Sequence, residues 1–281
     1  MKRQKSFENE KPTLYLVATP IGNLDEITLR TINILKEVDY VAAEDTRNSI
    51  KILNHLNINK PMISHHEHNL QSSIPKIIDL LKEGNNIALV SDAGYPAISD
   101  PGAQLIEAAI KEEINIVSIS GPNALLNALV CSGIKPQPFM FYGFLDHKDK
   151  IKRKQLEELK DYKETIIFYE APHRINKTLT LILEIFGERR MALCRELTKI
   201  HEEIIRGTIS EILEIDDLKG EIVLVIEGNT HINEKKNYSK QEIVELVDHY
   251  IEKGMSTKDA IKEVASNIGE NKNLVYKKYH E

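Results

Sequence analysis

The sequence predicts an α/β protein of two successive halves, followed by a small helical module. Three observations carry this prediction. Short apolar runs recur along the chain, and each ends in a glycine- or proline-marked turn that opens a helical pattern. Lys135-Pro136-Gln137-Pro138 reads as a linker, which puts a boundary near 123–137, and Phe139 opens a second series of runs. From about residue 230 the composition turns polar and the pattern purely helical. The expected organisation is a flexible tail over 1–12, α/β units over 13–125 and 126–230, and a helix-turn-helix-like module over 236–281.

Taken in order, Leu14-Tyr15-Leu16-Val17-Ala18 reads as a buried strand. It breaks at Thr19-Pro20-Ile21-Gly22-Asn23-Leu24, and a helix is expected from about Asp25 to Val38. This turn lacks the Gly-x-Gly-x-x-Gly pattern, which argues against a standard nicotinamide-binding fold. Tyr40 to Glu44 is the next strand, followed by Asp45-Thr46-Arg47 and a helix with Ile50, Leu53 and Leu56. Asp45 or Thr46 reads equally as an N-cap or as part of a site, and Arg47 suits a phosphate or carboxylate. A helix from Ser73 to Lys82 is stopped by Gly84.

Ile87 to Val90 leads into the most distinctive stretch, Ser91-Asp92-Ala93-Gly94-Tyr95-Pro96-Ala97-Ile98-Ser99-Asp100-Pro101-Gly102. Two glycines, two prolines and two aspartates in twelve residues exceed the needs of a strand–helix turn. A stiff loop with backbone amides and acceptors suits a small polar ligand, and such ligands sit at strand ends. Ile114 to Ile119 is another strand, ending in Ser120-Gly121-Pro122-Asn123-Ala124. The turns at 19–24, 91–102 and 120–124 would form one pocket if neighbouring parallel strands carry them.

In the second half, strands are expected at Phe139–Phe144, Thr165–Tyr169 and Met191–Cys194, with further strands and a short helix between Ile204 and Ile226. Glu170-Ala171-Pro172-His173-Arg174 places three polar side chains at a strand–helix junction, and His173 is either a base, a phosphate donor or a surface histidine. Lys148 to Lys154 is a basic run, readable as a solvated helix face or as a phosphate-backbone patch. Arg195 to Glu203 is a dense run of mixed charge. In the tail, Ser239-Lys240-Gln241-Glu242 is a capping box and Ser256 caps a second helix, stopped by Gly269. A short third helix carries Leu274, Val275 and Tyr279.

A net charge of −6 over 281 residues confines any nucleic-acid surface to a local patch. Two distant cysteines, Cys131 and Cys194, form neither a disulfide framework nor a zinc pattern, which fits a reducing compartment. His65-His66-Glu67-His68 attracts attention, but adjacent residues on an extended segment point to opposite faces. A solvated or RNA-facing loop is expected there, and no metal. No apolar leader follows the basic start and no apolar run is long enough to span a bilayer, so a cytoplasmic protein without membrane partners is expected.

Thr19–Leu24, Glu44-Asp45-Thr46-Arg47, Ser91–Gly102, Gly121–Ala124, Glu170–Arg174 and Arg195-Glu196-Leu197-Thr198-Lys199 occur in this order. Together they resemble the tetrapyrrole-methylase-like superfamily (class III) of S-adenosylmethionine-dependent methyltransferases. Within it they resemble the bacterial enzymes that 2′-O-methylate the ribose of a decoding-centre cytidine in 16S ribosomal RNA. Tyr95 and Ala171 stand where the family pattern has Thr and Ser. The resemblance implies two α/β halves with the cofactor cleft between them, S-adenosylmethionine as cofactor, the small ribosomal subunit as partner, and a homodimer. It implies cofactor contacts at Pro20, Gly22, Asp92, Ala93, Gly94, Pro96, Ile98, Gly121, Pro122, Ala124 and Phe144. Glu170, His173 and Asp45 become candidate bases, with Arg47 beside them in the catalytic set. Arg174, Arg195, Lys199, Lys152 and Arg153 become candidates to hold RNA. The competing expectations are a tetrapyrrole or other small-molecule methyltransferase on the same scaffold, and a non-catalytic ribosome-binding protein.

Overall fold

A computed structural model describes residues 3–6, 8, 11–230, 238–268 and 270–280. The first half holds β1 (Thr13–Val17), α1 (Leu29–Glu37), β2 (Tyr40–Ala43), α2 (Thr46–His55), β3 (Met62–Ser64), α3 (Leu70–Lys82), β4 (Ile87–Val90), α4 (Ala103–Lys111) and β5 (Asn115–Ile119). The five strands pair in parallel in the order β3-β2-β4-β1-β5. Successive residues of each strand face opposite sides of the sheet. Val17, Ala88 and Val90 therefore pack into one core, and Leu14, Ile87 and Leu89 into another. Continuous apolar strands belong in such a doubly covered parallel sheet.

The helix expected over Asp25–Val38 starts later. Asn23 caps a single 3-10 turn over Leu24–Glu26, and Thr28 then caps α1 by accepting from the Thr31 amide. β3 is a strand that the sequence pattern did not reveal: three residues between polar neighbours carry no alternation to read. The expectation of a solvated histidine loop fails at His65, which is buried with its Nδ1 2.9 Å from the Ser73 hydroxyl. Among the described residues no three His, Cys, Asp or Glu side chains are arranged to hold a metal ion. Near the N-terminus, the Gln4 side chain both donates to the Ile116 carbonyl (2.8 Å) and accepts from its amide (3.0 Å), which ties that residue to β5.

α5 (Ala124–Ser132) leaves β5 of the first sheet but packs on the second. That half holds β6 (Phe139–Phe144), α6 (Asp149–Leu159), β7 (Thr165–Glu170), α7 (Ile175–Phe186), β8 (Arg190–Arg195), β9 (Glu203–Thr208), α8 (Ile209–Leu213) and β10 (Ile222–Ile226). Its sheet runs β6-β7-β10-β8-β9, parallel only between β6 and β7. Leu125, Ala128 and Leu129 of α5 join Ile21, Ile167, Cys194 and Val223 in one core, so the two halves share a hydrophobic seam. The other face of the sheet is covered by α6, α7 and α8 through Leu156, Leu179, Ile182 and Ile212.

Residues up to Gly228 form one compact unit and those from Asn229 a second. The second unit contains α9 (Lys240–Glu252), α10 (Thr257–Asn267) and α11 (Lys272–His280) around Ile243, Val247, Ile261, Val264 and Val275. Ser239 and Glu242 form the capping box of α9, and Ser256 accepts from the Asp259 amide at the start of α10. Gly269, the expected stop of the second helix, lies outside the described residues. No helix among the described residues is long and apolar enough to cross a membrane.

Candidate active site

The strands β4, β1 and β5 are direct neighbours in the first sheet, so the three glycine–proline turns leave the same sheet edge side by side. They are bonded together. Thr19 and Gly94 exchange both backbone hydrogen bonds, at 2.9 and 3.0 Å. The Thr19 hydroxyl donates to the Ser91 carbonyl at 3.0 Å. The Gly121 amide donates to the Tyr95 hydroxyl at 3.1 Å. Gly94 has φ +76°, a left-handed conformation that glycine adopts without steric cost. A Cβ on Gly121 would sit 2.8 Å from the Ala18 Cβ, so this turn needs a residue without a side chain.

These turns form one wall of a cavity of about 620 Å³. Ile21, Asp92 to Tyr95, Ile98 to Asp100, Asn123 and Ala124 come from the first half. Phe144, Tyr169 to Pro172, Glu196, Lys199 and Gly220 to Val223 come from the second. The volume lies within the roughly 300–1,000 Å³ of small-molecule sites, and the apolar walls with a few polar groups match their chemistry.

The polar groups are unevenly held. Asp92 accepts from the Asn48 side chain at 3.0 Å. Glu44, at the end of β2, has its pKa raised by burial and by Asp92, although the Asp92 backbone amide bonds to it and pulls the other way. Asp100 has no hydrogen-bond partner among the described residues, and burial followed by the charges of Glu44 and Asp92 pushes its carboxyl up to about 7. Across the cavity, Glu196 accepts from the Glu221 amide and from Lys199, which together hold its pKa down. Lys199 is pulled down by burial but raised overall by Glu196 and Glu221. Tyr169 is pushed up to about 12, chiefly by burial.

The predicted site residues separate on this geometry. Asp92, Ala93, Gly94, Ile98, Ala124, Phe144, Glu170 and Lys199 line the cavity. Pro20, Gly22, Pro96, Gly121 and Pro122 shape the surrounding turns without lining it. Gly22 lies close enough to Lys199 that a Cβ would overlap its side chain.

Glu170 is not a free base: one oxygen takes Arg174 and the Ala171 amide, and the other takes the Thr178 hydroxyl at 2.6 Å. Lys152 was expected to face RNA, but it is 1% exposed, donates to Thr178 at 2.7 Å and stands 3.9 Å from Glu170. Its place on the inner face of α6 buries it under α7, where burial lowers its pKa. Arg153, on the outer face, is forked to Glu184 at 2.7 and 2.8 Å. Asp45 is clamped by the Arg47 guanidinium and amide, which hold its carboxyl down at about 2. Neither Asp45 nor Arg47 lines the cavity, and the Arg47 guanidinium is exposed. His173 is exposed and outside the cavity lining. Arg195 pairs with Glu203 at 2.5 Å, away from the lining.

Tyr169, Glu196 and Asp100 are among the lining residues that site prediction missed. Glu196 sat within the charged run and Asp100 within the loop, so a signal existed for both; Tyr169 looked like one more apolar strand residue.

The family model for tetrapyrrole (corrin/porphyrin) methylases matches residues 13–213, which span the two sheets up to α8. A protein of Bacillus subtilis named ribosomal RNA small subunit methyltransferase I is 50% identical over all of this chain and 99% of its own length. The protein of that name from Halalkalibacterium halodurans is 48% identical over the full length of both chains. Among solved structures, the cobalamin biosynthetic enzyme cobalt precorrin-4 methyltransferase matches with a TM-score of 0.57 at 17% identity, covering 76% of this chain and 94% of its own, which is a likeness of fold. The chain belongs to the tetrapyrrole (corrin/porphyrin) methylase family, among its methyltransferases named for small-subunit ribosomal RNA.

Proposed function

We propose that the chain transfers a methyl group from S-adenosylmethionine to the 2′-hydroxyl of a decoding-centre cytidine in 16S ribosomal RNA. In this reading it acts on the small ribosomal subunit, in the cytoplasm, as a homodimer. The observation that carries the reading is end-to-end similarity: relatives named for this RNA match the helical module as well as the two sheets. A tetrapyrrole methylase likeness alone covers only residues 13–213.

The cavity fits such a cofactor on the chemistry of its walls. Ile21, Phe144, Ile222 and Val223 offer apolar surface for an adenine ring, and the Asp92 carboxylate suits an ammonium. When bound, S-adenosylmethionine supplies an electrophilic methyl carbon on a cationic sulfur. What remains for the chain is alignment and proton removal. Alignment of oxygen, carbon and sulfur can lower the barrier by about 7–11 kcal/mol in the best cases. The bonded turns at Thr19, Gly94 and Gly121 provide a rigid wall for it. The nucleotide must be splayed from its stack to reach a cleft of this kind. Arg47 and Arg174 stand at the strand ends of the two halves, Arg174 with its guanidinium 6.0 Å from the Phe144 ring centre. Both are candidates to hold the RNA backbone there.

The test is transfer of tritiated methyl to small subunits isolated from cells lacking the protein, followed by mass-spectrometric mapping. One 2′-O-methylated cytidine near the decoding centre is expected. Label entering a porphyrinoid and not the RNA would instead establish the small-molecule reading.

A further inference from the structure

The methyl-transfer reading requires a group that removes a proton from the accepting hydroxyl. We propose that Asp100 is that base, acting directly on the ribose hydroxyl in the cavity. This rests on the reading above and goes beyond the base candidates Glu170, His173 and Asp45.

The argument is geometric. Asp100 lines the cavity of about 620 Å³, on the wall facing Tyr169 of β7. The loop that carries it is forced into place: Ala97 and Ser99 have φ of +68° and +65°, unusual for residues with side chains. Such strain collects where surrounding structure holds a functional group in position. Gly102 fixes the end of the loop, with Ala97 and Leu89 so close that a Cβ would sit 3.1 Å from each.

The alternatives are occupied or displaced. Glu170 has both oxygens bonded, Asp45 is clamped by Arg47, Glu196 is bonded to Lys199 and the Glu221 amide, and His173 is outside the lining. Asp92 already accepts from Asn48. Unlike the lining carboxylates of Asp92, Glu170 and Glu196, that of Asp100 has no hydrogen-bond partner in the described residues, so its oxygens are available to a ligand. The charged groups around it are Glu44 from the end of β2 and Asp92 from its own loop, with Tyr169 opposite. Asp45 and His66 in turn act on Glu44. Burial, followed by the two neighbouring acids, pushes the Asp100 carboxyl up to about 7, where a base both accepts a proton and is substantially ionised.

The step balances. As the 2′-oxygen bonds to the methyl carbon, its proton passes to the Asp100 carboxylate. The carbon–sulfur bond breaks and its electron pair stays on sulfur, which becomes a neutral thioether. Asp100 then loses the proton to solvent when the products leave.

The experiment compares wild type with Asp100→Asn on small subunits, in single-turnover methyl transfer between about pH 5 and pH 9. Calorimetry measures S-adenosylmethionine binding in parallel. Wild type should lose rate as pH falls through about 7, because the ionised carboxylate is the active form. Asp100→Asn should bind the cofactor within a few-fold of wild type and lose about 10²–10⁴-fold in rate, without the acid limb. Carbon-13 NMR of the wild-type carboxyl gives a readout independent of activity, and it should titrate near 7. An active wild type with an Asn variant within tenfold of it, or a carboxyl titrating in the ordinary aspartate range, overturns the inference alone. A wild type that methylates no RNA overturns the functional reading, and the inference with it.

Discussion

Gly121 has no room for a side chain. Its amide donates to the Tyr95 hydroxyl, and a Cβ on it would sit 2.8 Å from the Ala18 Cβ. A methyl there must displace backbone on both sides, because Ala18 is itself buried at 1% exposure. Gly121→Ala should therefore cost about 1–3 kcal/mol of stability in urea unfolding, the usual range for overpacking. Cofactor affinity measured by calorimetry should fall at least about tenfold, or roughly 1.4 kcal/mol, because the wall that aligns the ligand moves. Unchanged affinity would mean that the 120–124 turn lies outside the site. The same scale explains the fate of Glu170 and Lys152. Each is a charged side chain that sequence placed at a reactive or RNA-facing position. In the folded chain Lys152 stands 3.9 Å from Glu170, whose oxygens are bonded to Arg174 and Thr178. A buried charge without partners is costly, so these two are held by structure rather than free for chemistry.

α5 is the element that unites the halves. Its first residue, Ala124, is in the cavity wall, capped by Asn123, whose side chain accepts from the Leu126 amide at 3.0 Å. One face, through Leu125, Ala128 and Leu129, packs on the second sheet. The other face leaves Leu126 and Val130 exposed at 47% and 74%, one helical turn apart. Paired exposed apolar residues on a helix whose opposite face is buried suit a contact with a second copy. If the proposed homodimer uses this face, Val130→Glu should shift the protein from dimer to monomer in analytical ultracentrifugation. A wild type that sediments as a monomer at micromolar concentration would end that reading.

On the scale of the whole molecule, the described residues lining the cavity all belong to the compact unit that ends at Gly228. A chain ending at Thr230 should therefore bind S-adenosylmethionine within about threefold of the full chain, a difference under roughly 0.7 kcal/mol. Loss of more than about tenfold in calorimetry would put part of the cofactor site in the module. The module has its own core and its own caps at Ser239 and Ser256, which fits a separate role such as RNA contact.

By itself the sequence determined the strand segments other than β3, the three turns, the caps at Ser239 and Ser256 and the helical character of the tail. Each depends on neighbours a few residues away: apolar alternation, the backbone freedom of glycine and the hydroxyl or carboxamide at an N-cap. Only the tertiary structure decided that β4, β1 and β5 are adjacent, that α5 crosses to the second sheet, and that Asp100 faces the cavity while Glu170 is saturated. Those outcomes depend on burial and on partners far along the chain. A carboxylate's chemistry is set by what surrounds it in space, and sequence spacing does not record that.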